Sequence, residues 1–423
     1  MSVLNEMAGP YRARVVVERD QSGRTESAHL DLAGLPRVDA LLIGQPVTEV
    51  PTLVEHLCGI CPAAHHLAGI RALEALAGLT TVPPTAESVR RLLHHGSAVA
   101  THAGRFVSSH TEASLLLRKF GRSAMAAAGS PGHFPTTAVP GGVAGPVSAS
   151  ARDELGARLG AATAAAMGIA GAFLADDDRL CAFGGADVAL ADCSGRPDLL
   201  GERLRAVTAA GEVVHEAASA DGWGALIAEA QPGRVAPRPY LVSLGPTHGE
   251  YRVGPVAQLR IGALTTVRAR RLQERWLAAG GSASAARAIM MLHSVEAIAA
   301  LLESSALVAG PSTTAPAGVP RAEGVGWVDG PRGLLVHRYV TAGDGVARAV
   351  TILTPTAQNE PWLAGLLRAV VDASPVEGPD RMGLERAIRE ADPCLPCSSA
   401  PPGTMDLQVD TVMTTKMVGT EGR

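Results

Sequence analysis

The sequence is poor in charged and aromatic residues. Of its 423 residues, 18% are charged and 3% are aromatic, whereas 47% are hydrophobic. Soluble domains usually carry about 25% charged residues, so the low charge and the high hydrophobic content argue against a disordered chain. With so few aromatic side chains, the core has to be filled by Ala, Leu and Val, so that helices can approach closely. We therefore expect a sizeable buried core.

The sequence also lacks an excess of positive charge. Lys and Arg number 37 and Asp and Glu 41, a formal net charge of −4. Binding to nucleic acid and a polybasic membrane anchor are therefore not expected. The chain does not open with a basic segment that leads into an apolar run, so no secretory signal is predicted. Segment 159–175 is short for a membrane span, and we predict a buried helix there and no direct membrane span.

Cysteine is scarce, with six residues in the chain. This number is too small for a disulfide scaffold and favours a reducing, cytoplasmic location. Four of the six form two Cys-x-x-Cys pairs, Cys58 with Cys61 and Cys394 with Cys397. This spacing lets both thiolates of a pair face one metal centre, and it leaves zinc, an iron–sulfur cluster and redox dithiols open. The pairs lie near opposite ends of the sequence, which argues against a small zinc module.

The hydrophobic pattern predicts an α+β fold that is mainly helical. Small antiparallel β-hairpins are expected near the N-terminus, from strand patterns at 12–18 and 26–32, and around 333–354. Asp380 is a plausible N-cap for a last helix. No internal repeat or clean linker is present, so we predict a single domain over 1–423. Helical periodicity occurs at 38–56, 62–78, 85–128, 150–175, 198–220, 282–307 and 358–372.

Both cysteine pairs stand in longer motifs that resemble those of nickel–iron hydrogenase large subunits, with the soluble cytoplasmic type favoured. The matching motifs occur in the same order as in that family and extend over nearly the whole chain. Its landmarks are Glu55-His56-Leu57-Cys58-Gly59-Ile60-Cys61 with His65, then His133-Phe134-Pro135, Gly330-Pro331-Arg332-Gly333 with His337, Pro355-Thr356, and Asp392-Pro393-Cys394-x-x-Cys397.

The resemblance implies a metal centre held by the two cysteine pairs. Cys58, Cys61, Cys394 and Cys397 would hold nickel. Cys61 and Cys397 would also bridge to an iron that carries carbon monoxide and cyanide. Soft thiolate ligands suit these metals.

The resemblance also implies roles for residues around the metals. Arg332 would lean over the vacant nickel–iron position, and Asp392 would support Arg332. His65 would form a hydrogen bond to a cysteine sulfur and tune the metal. The cofactor would also be contacted by three residues at strand ends, namely Pro331, Pro355 and Thr356.

The sequence departs from the family at the proton relay and at the magnesium site. Pro10 stands where the family has a glutamate that accepts the proton, and Glu6 is the nearby carboxylate that could replace it. Ala400 stands where the family has a histidine that marks the maturation cut and helps to bind magnesium. Asp39 matches an acidic magnesium ligand, so half of that site is expected. Residues 401–423 would be a possible C-terminal maturation tail.

The resemblance therefore predicts the catalytic subunit of an enzyme that interconverts H2 with protons and electrons. It implies an iron–sulfur small subunit, a further electron-transfer subunit, a maturation protease and nickel-insertion factors as partners. One alternative is a hydrogenase-like H2 sensor or structural subunit with weak or no turnover. A zinc-structured binding protein is a third possibility. The quinone-site subunit of respiratory complex I is a weaker resemblance, because it lacks the cysteine pairs.

Overall fold

The computed structural model describes residues 11–32, 39–175, 180–232, 236–315, 320–374 and 378–414. These residues form two compact units. The terminal unit takes its described residues from the segments 1–36, 231–238 and 356–423, and the central unit takes them from 37–230 and 239–355. The predicted single domain stays a prediction.

Helices dominate the described part, as the sequence predicts. In chain order they are α1 (Asp39–Leu42), α2 (Val50–Leu57), α3 (Pro62–Leu76), α4 (Pro84–Gly104), α5 (Thr111–Ala127), α6 (Ala149–Ala175), α7 (Trp223–Leu226), α8 (Gly245–His248), α9 (Pro255–Ile261), α10 (Val267–Ala279), α11 (Ala283–Leu302), α12 (Pro355–Gln358), α13 (Glu360–Ala373) and α14 (Arg381–Ala391).

The strands are short and form several small sheets. They are β1 (Arg12–Arg19), β2 (Thr25–Leu30), β3 (Ala138–Val139), β4 (Gly142–Val143), β5 (Ala186–Ala191), β6 (Arg203–Val207), β7 (Val213–Ala218), β8 (Ile227–Glu229), β9 (Pro239–Leu241), β10 (Tyr251–Arg252), β11 (Glu323–Gly330), β12 (Gly333–Thr341), β13 (Ala347–Leu353) and β14 (Asp406–Met413). The sheet orders are β14-β1-β2, β10-β5-β6-β7, β11-β12-β13, β3-β4 and β8-β9. The predicted hairpins β1-β2 and β12-β13 are both antiparallel, which confirms the fold class.

The terminal unit is built on the sheet β14-β1-β2. Ala13, Val15 and Val17 of β1 are buried and alternate with more exposed residues, because successive side chains of a strand point to opposite faces. Helix α13 packs against β2 and α14 packs against α13. The predicted N-cap is confirmed, since the Asp380 carboxylate accepts a hydrogen bond from the Met382 N–H at 3.1 Å.

The central unit contains the longer helices and the sheet β11-β12-β13. Helices α4, α5, α6 and α11 pack against one another. Helix α3 lies on β11. Gly324 and Gly326 make this contact possible, because a Cβ on either residue would collide with the α3 backbone carbonyls of Ala72 and Ala68. The C-terminal half of α3 is thereby fixed against the first half of β11.

One of the helix predictions was wrong. Segment 198–220 forms the strands β6 and β7 and not a helix. Pairing with β5 buries Leu204, Ala206 and Val207, and this long-range pairing overrides the local periodicity. Segment 38–56 contains two helices, α1 and α2, separated by a turn.

Two described helices are long and apolar enough to cross a membrane by length and composition alone. The apolar window of α11 is 72% buried and that of α6 is 22% buried. The prediction of a buried helix in segment 159–175 was therefore wrong for most of its surface. Apolar helices of this kind also occur in the cores of soluble proteins, so these two features are weak evidence for a span.

Candidate metal centre

Cys58 and Cys61 lie in the turn between α2 and α3 of the central unit. Their sulfur atoms are 3.1 Å apart, and the Cys61 N–H donates to the Cys58 sulfur at 3.4 Å. Cys61 is the N-cap of α3, and Pro62 occupies the first turn, where the missing N–H costs nothing. A helix N-terminus favours a thiolate over a thiol. The position and spacing of these two thiols therefore suit the binding of a soft metal ion.

A buried hydrogen-bond chain holds this turn in place. The His66 Nδ1 lies 3.1 Å from a carboxylate oxygen of Glu55, and the His66 Nε2 accepts from the Ala138 N–H at 3.1 Å. Because Nε2 is an acceptor, a neutral His66 carries its proton on Nδ1 and donates it to Glu55. Glu55 of the first motif thereby anchors α2 to α3, and His66 extends the chain to the first residue of β3.

Arg332 lies in the tight turn between β11 and β12, next to Pro331, and its side chain is 7% exposed. The turn is packed against Gly254. A Cβ on Gly254 would lie 2.6 Å from the Arg332 carbonyl oxygen, and one on Gly333 would lie 2.5 Å from the Gly254 nitrogen. Both glycines have positive φ angles, +99° and +126°. The Pro-Arg-Gly sequence therefore fixes the backbone that carries the guanidinium.

Cys394 and Cys397 lie in the terminal unit, just after α14. The Cys394 N–H donates to the Thr356 hydroxyl oxygen at 2.7 Å, so Thr356 holds the backbone of this cysteine. Cys397 lies in a 3-10 turn, Pro396–Ser399, and is 2% exposed, whereas Cys394 is half-buried. Each pair supplies soft thiolate donors, which fit nickel, iron or zinc.

Asp392 follows α14 in the left-handed region, with φ of 50°. Its carboxylate accepts a hydrogen bond from the Ser398 hydroxyl at 3.0 Å, and both residues are buried. Sequence reasoning missed Ser398, because a serine beside a cysteine carries no distinctive signal. The hydrogen bond orients the Asp392 carboxylate. The predicted support of Arg332 by Asp392 stays a prediction.

The structure places the remaining predicted residues as follows. His65 lies in the first turn of α3, and its Nδ1 is 3.0 Å from the Nε2 of His337. Pro355 is the first residue of α12. Glu6 lies outside the described residues. Asp39 begins α1, but its side chain is not among those described. Cys181 and Cys193, the two cysteines outside the Cys-x-x-Cys pairs, are exposed.

Several known proteins that are similar to this chain in sequence are hydrogenase subunits. Residues 37–111 match the family described as nickel-dependent hydrogenase. One subunit of the F420-non-reducing hydrogenase vhu from Methanococcus voltae is 28% identical and is aligned over 83% of this chain and 93% of its own. The NAD-reducing hydrogenase HoxS subunit beta of Cupriavidus necator is 27% identical over 94% of this chain and 93% of its own.

Solved structures agree with these sequence relatives. A chain from the crystal structure of an NAD+-reducing [NiFe]-hydrogenase in the H2-reduced state has a TM-score of 0.78 and 28% identity, and the match covers 90% of this chain and 95% of that one. A [NiFeSe] hydrogenase from Desulfovibrio vulgaris Hildenborough shares the fold, with a TM-score of 0.65, 17% identity, and coverage of 89% and 94%.

Proposed function

We infer that this chain, which belongs to the nickel-dependent hydrogenase family, is the catalytic large subunit of a nickel–iron hydrogenase. It interconverts H2 with protons and electrons. The observation that carries this conclusion is the likeness to hydrogenase subunits over nearly the full chain, together with two Cys-x-x-Cys pairs in the family motifs.

The proposed ligands are the four cysteines of the two pairs. Cys58, Cys61, Cys394 and Cys397 would hold nickel. Cys61 and Cys397 would also bridge to an iron with carbon monoxide and cyanide ligands. In support, the Cys58 and Cys61 sulfur atoms lie 3.1 Å apart within the central unit, and the terminal unit supplies the second pair of thiols. When bound, the nickel–iron centre supplies the redox chemistry of heterolytic H2 cleavage.

Arg332 is the proposed catalytic residue of the central unit. Its guanidinium is buried on a rigid turn, so it can orient H2 and exclude water without a cost in side-chain entropy. Asp392 would orient this guanidinium, and Ser398 holds the Asp392 carboxylate. Pro331, Pro355 and Thr356 would line the cofactor.

The proton released from H2 would be held on the Cys394 sulfur. A carboxylate placed within hydrogen-bond reach would then carry it outward by general base transfer. Glu6 is the proposed carboxylate, because Pro10 replaces the family's glutamate. Asp39 would contribute one ligand to a magnesium ion.

The relatives are named as subunits of larger hydrogenases, and this chain has partner subunits too. We assign the role of electron acceptor to an iron–sulfur small subunit, and we expect a further electron-transfer subunit. A maturation protease and nickel-insertion factors would act on the chain in the cytoplasm. The low charge content and the exposed apolar face of α6 fit a chain with a large partner interface.

A hydrogen sensor or structural subunit with weak turnover is the second candidate. Pro10 and Ala400 favour it, because they replace the family's proton-relay glutamate and its C-terminal histidine. Fast H2 oxidation by the purified complex would remove this candidate.

Metal analysis and infrared spectroscopy of the purified complex test the proposal. We expect about one nickel and one iron per chain, with bands of metal-bound carbon monoxide and cyanide. Cys397→Ser should remove both metals, because a hydroxyl is a poor ligand for soft metals. Cys193→Ser is the matched control, since this thiol is exposed and lies outside the motifs, and it should keep them. A complex that carries only zinc, or that lacks the bands, would contradict the assignment.

A further inference from the structure

Three buried side chains of the central unit form a continuous line of hydrogen-bonding groups. The His65 Nδ1 lies 3.0 Å from the His337 Nε2, and the His337 Nδ1 lies 2.7 Å from the Tyr339 hydroxyl. His337 and Tyr339 are 0% exposed, and His65 is 6% exposed. The roles proposed above for the metal site do not involve Tyr339 or the second histidine.

The backbone brings these groups together. His337 and Tyr339 are two residues apart on β12, so they share one face of the strand. His65 and Gly69 are one turn apart on α3 and share one face of that helix. A Cβ on Gly69 would lie 3.0 Å from the Tyr339 hydroxyl and 2.6 Å from the Cβ of Pro51. The glycine therefore leaves the space that the Tyr339 hydroxyl occupies.

The direction of the hydrogen bonds follows from what is buried. Within the described part of the chain, the Tyr339 hydroxyl has no second hydrogen-bond partner. It therefore donates its proton to the His337 Nδ1, since the reverse arrangement would leave a buried O–H unsatisfied. Burial also holds the pKa of His337 well below its ordinary value, so this ring is neutral.

A neutral His337 that accepts at Nδ1 must carry its proton on Nε2. That proton is donated to the Nδ1 of His65, which in turn must carry its own proton on Nε2. The Nε2–H is then the remaining ring donor of His65, with no acceptor assigned to it among the described residues. The His65 backbone lies beside the first cysteine pair, because its N–H donates to the Cys61 carbonyl oxygen at 3.3 Å.

We propose that Tyr339 and His337 are positioning residues, which fix the tautomer and the ring orientation of His65 so that its Nε2–H donates to a metal-binding cysteine sulfur. This inference rests on the proposed function. Donation to a thiolate withdraws electron density from the sulfur and hence from the metals. Loss of the Tyr339 hydroxyl frees His337 to change its tautomer and weakens that donation.

Tyr339→Phe tests the inference through the infrared spectrum of the purified complex. The ring stays and only the hydroxyl is lost, so the metals should remain. A weaker donation makes the iron richer in electrons, and the carbon monoxide band should shift to lower wavenumber. Tyr251→Phe is the matched control, because Tyr251 is equally buried and lies outside this line of groups, and its band should not move.

His337 provides a second pair of variants. His337→Gln keeps one acceptor and one donor on its amide group, and it should retain the wild-type band. His337→Leu has neither, and it should shift the band in the same direction as Tyr339→Phe. A band that is unchanged in Tyr339→Phe, or shifted equally in Tyr251→Phe, overturns the inference. A wild-type complex without the bands would instead overturn the proposed function, so the two failures are distinguishable.

Discussion

At the residue scale, the hairpin that carries Arg332 also carries a buried acid. Asp329 is 0% exposed, and one of its carboxylate oxygens accepts from the Leu190 N–H at 2.8 Å. Burial raises the pKa of Asp329 to about 7. A carboxyl group that stays protonated in the folded chain near neutral pH makes the stability of this hairpin dependent on pH.

Asp329→Asn should remove this pH dependence. In the unfolded chain Asp329 ionises near its ordinary pKa of 3.8, whereas in the folded chain it stays protonated up to about pH 7. The free energy of unfolding therefore falls as pH rises through this window, by about 1.4 kcal/mol per pH unit at most. Asn cannot ionise but keeps an oxygen for the Leu190 N–H. Thermal unfolding of the purified chain should show an advantage of the variant that grows from about pH 4 to about pH 7. If the difference in stability between the variant and the wild type did not change with pH, the raised pKa of Asp329 would be contradicted.

Arg332→Lys should leave the metals in place but lower H2 oxidation about tenfold or more. The lysine ammonium is a point charge and cannot replace the planar guanidinium of Arg332, which the fixed turn holds in place. Dye-linked H2 oxidation and metal content measure the two effects. Arg338→Lys on β12, the strand that follows this turn, is the control, because Arg338 pairs with Glu323 away from the proposed site. This variant should keep full activity. Full activity of Arg332→Lys would remove this residue from the mechanism.

At the scale of elements, α4 and α5 cross at glycines. A Cβ on Gly121 would lie 2.5 Å from the Gly96 carbonyl oxygen, and one on Gly96 would lie 2.8 Å from the Gly121 carbonyl oxygen. Helices with so few aromatic side chains can pack this closely because their backbones meet directly. The crossing therefore depends on the absence of a single methyl group.

Gly121→Ala should lower the stability of the chain by roughly 1–3 kcal/mol, because the added methyl group forces the two helices apart. This loss should exceed the gain in helix propensity, which is about 1 kcal/mol. Gly160→Ala in α6 is the matched control, since its Cβ would meet no atom within 4 Å. It should raise stability by about 0.5–1 kcal/mol. Chemical denaturation of both variants measures the difference, and equal effects would show that the crossing tolerates a side chain.

At the scale of the whole chain, residues near its two ends share one sheet. Strand β14 pairs with β1 in parallel, with Leu407 opposite Ala13. Leu407 and Met405 are buried, and the Arg14 Nε donates to the Asp410 carboxylate at 2.6 Å. The segment predicted to be a maturation tail thus supplies one strand of the terminal unit.

Truncation after Ala400 should lower the melting temperature by several degrees and expose β1 to proteolysis, because the buried contacts of β14 and one edge of the sheet are lost. Truncation after Thr414 is the control, since it leaves β14 complete. Thermal unfolding and limited proteolysis of the two shortened chains provide the comparison. Identical melting temperatures would show that β14 contributes little to the terminal unit.

The sequence by itself determined the fold class and most of the helices. Motifs such as Cys58 to Cys61 and the Pro331-Arg332-Gly333 turn depend on local spacing and on glycine geometry, and both are visible in the sequence. The Asp380 cap is equally local, because its hydrogen bond spans two residues. Local patterns of this kind do not depend on tertiary contacts with the rest of the chain.

The tertiary structure decided everything that depends on distant partners. Segment 198–220 has a helical pattern but pairs as strands, because β5 offers a buried edge. His337 and Tyr339 meet His65 only because α3 packs on the β11-β12-β13 sheet, and the separation of 272 residues between the two histidines hides that contact. Hydrogen bonds of this kind are set by packing, which no local sequence pattern encodes.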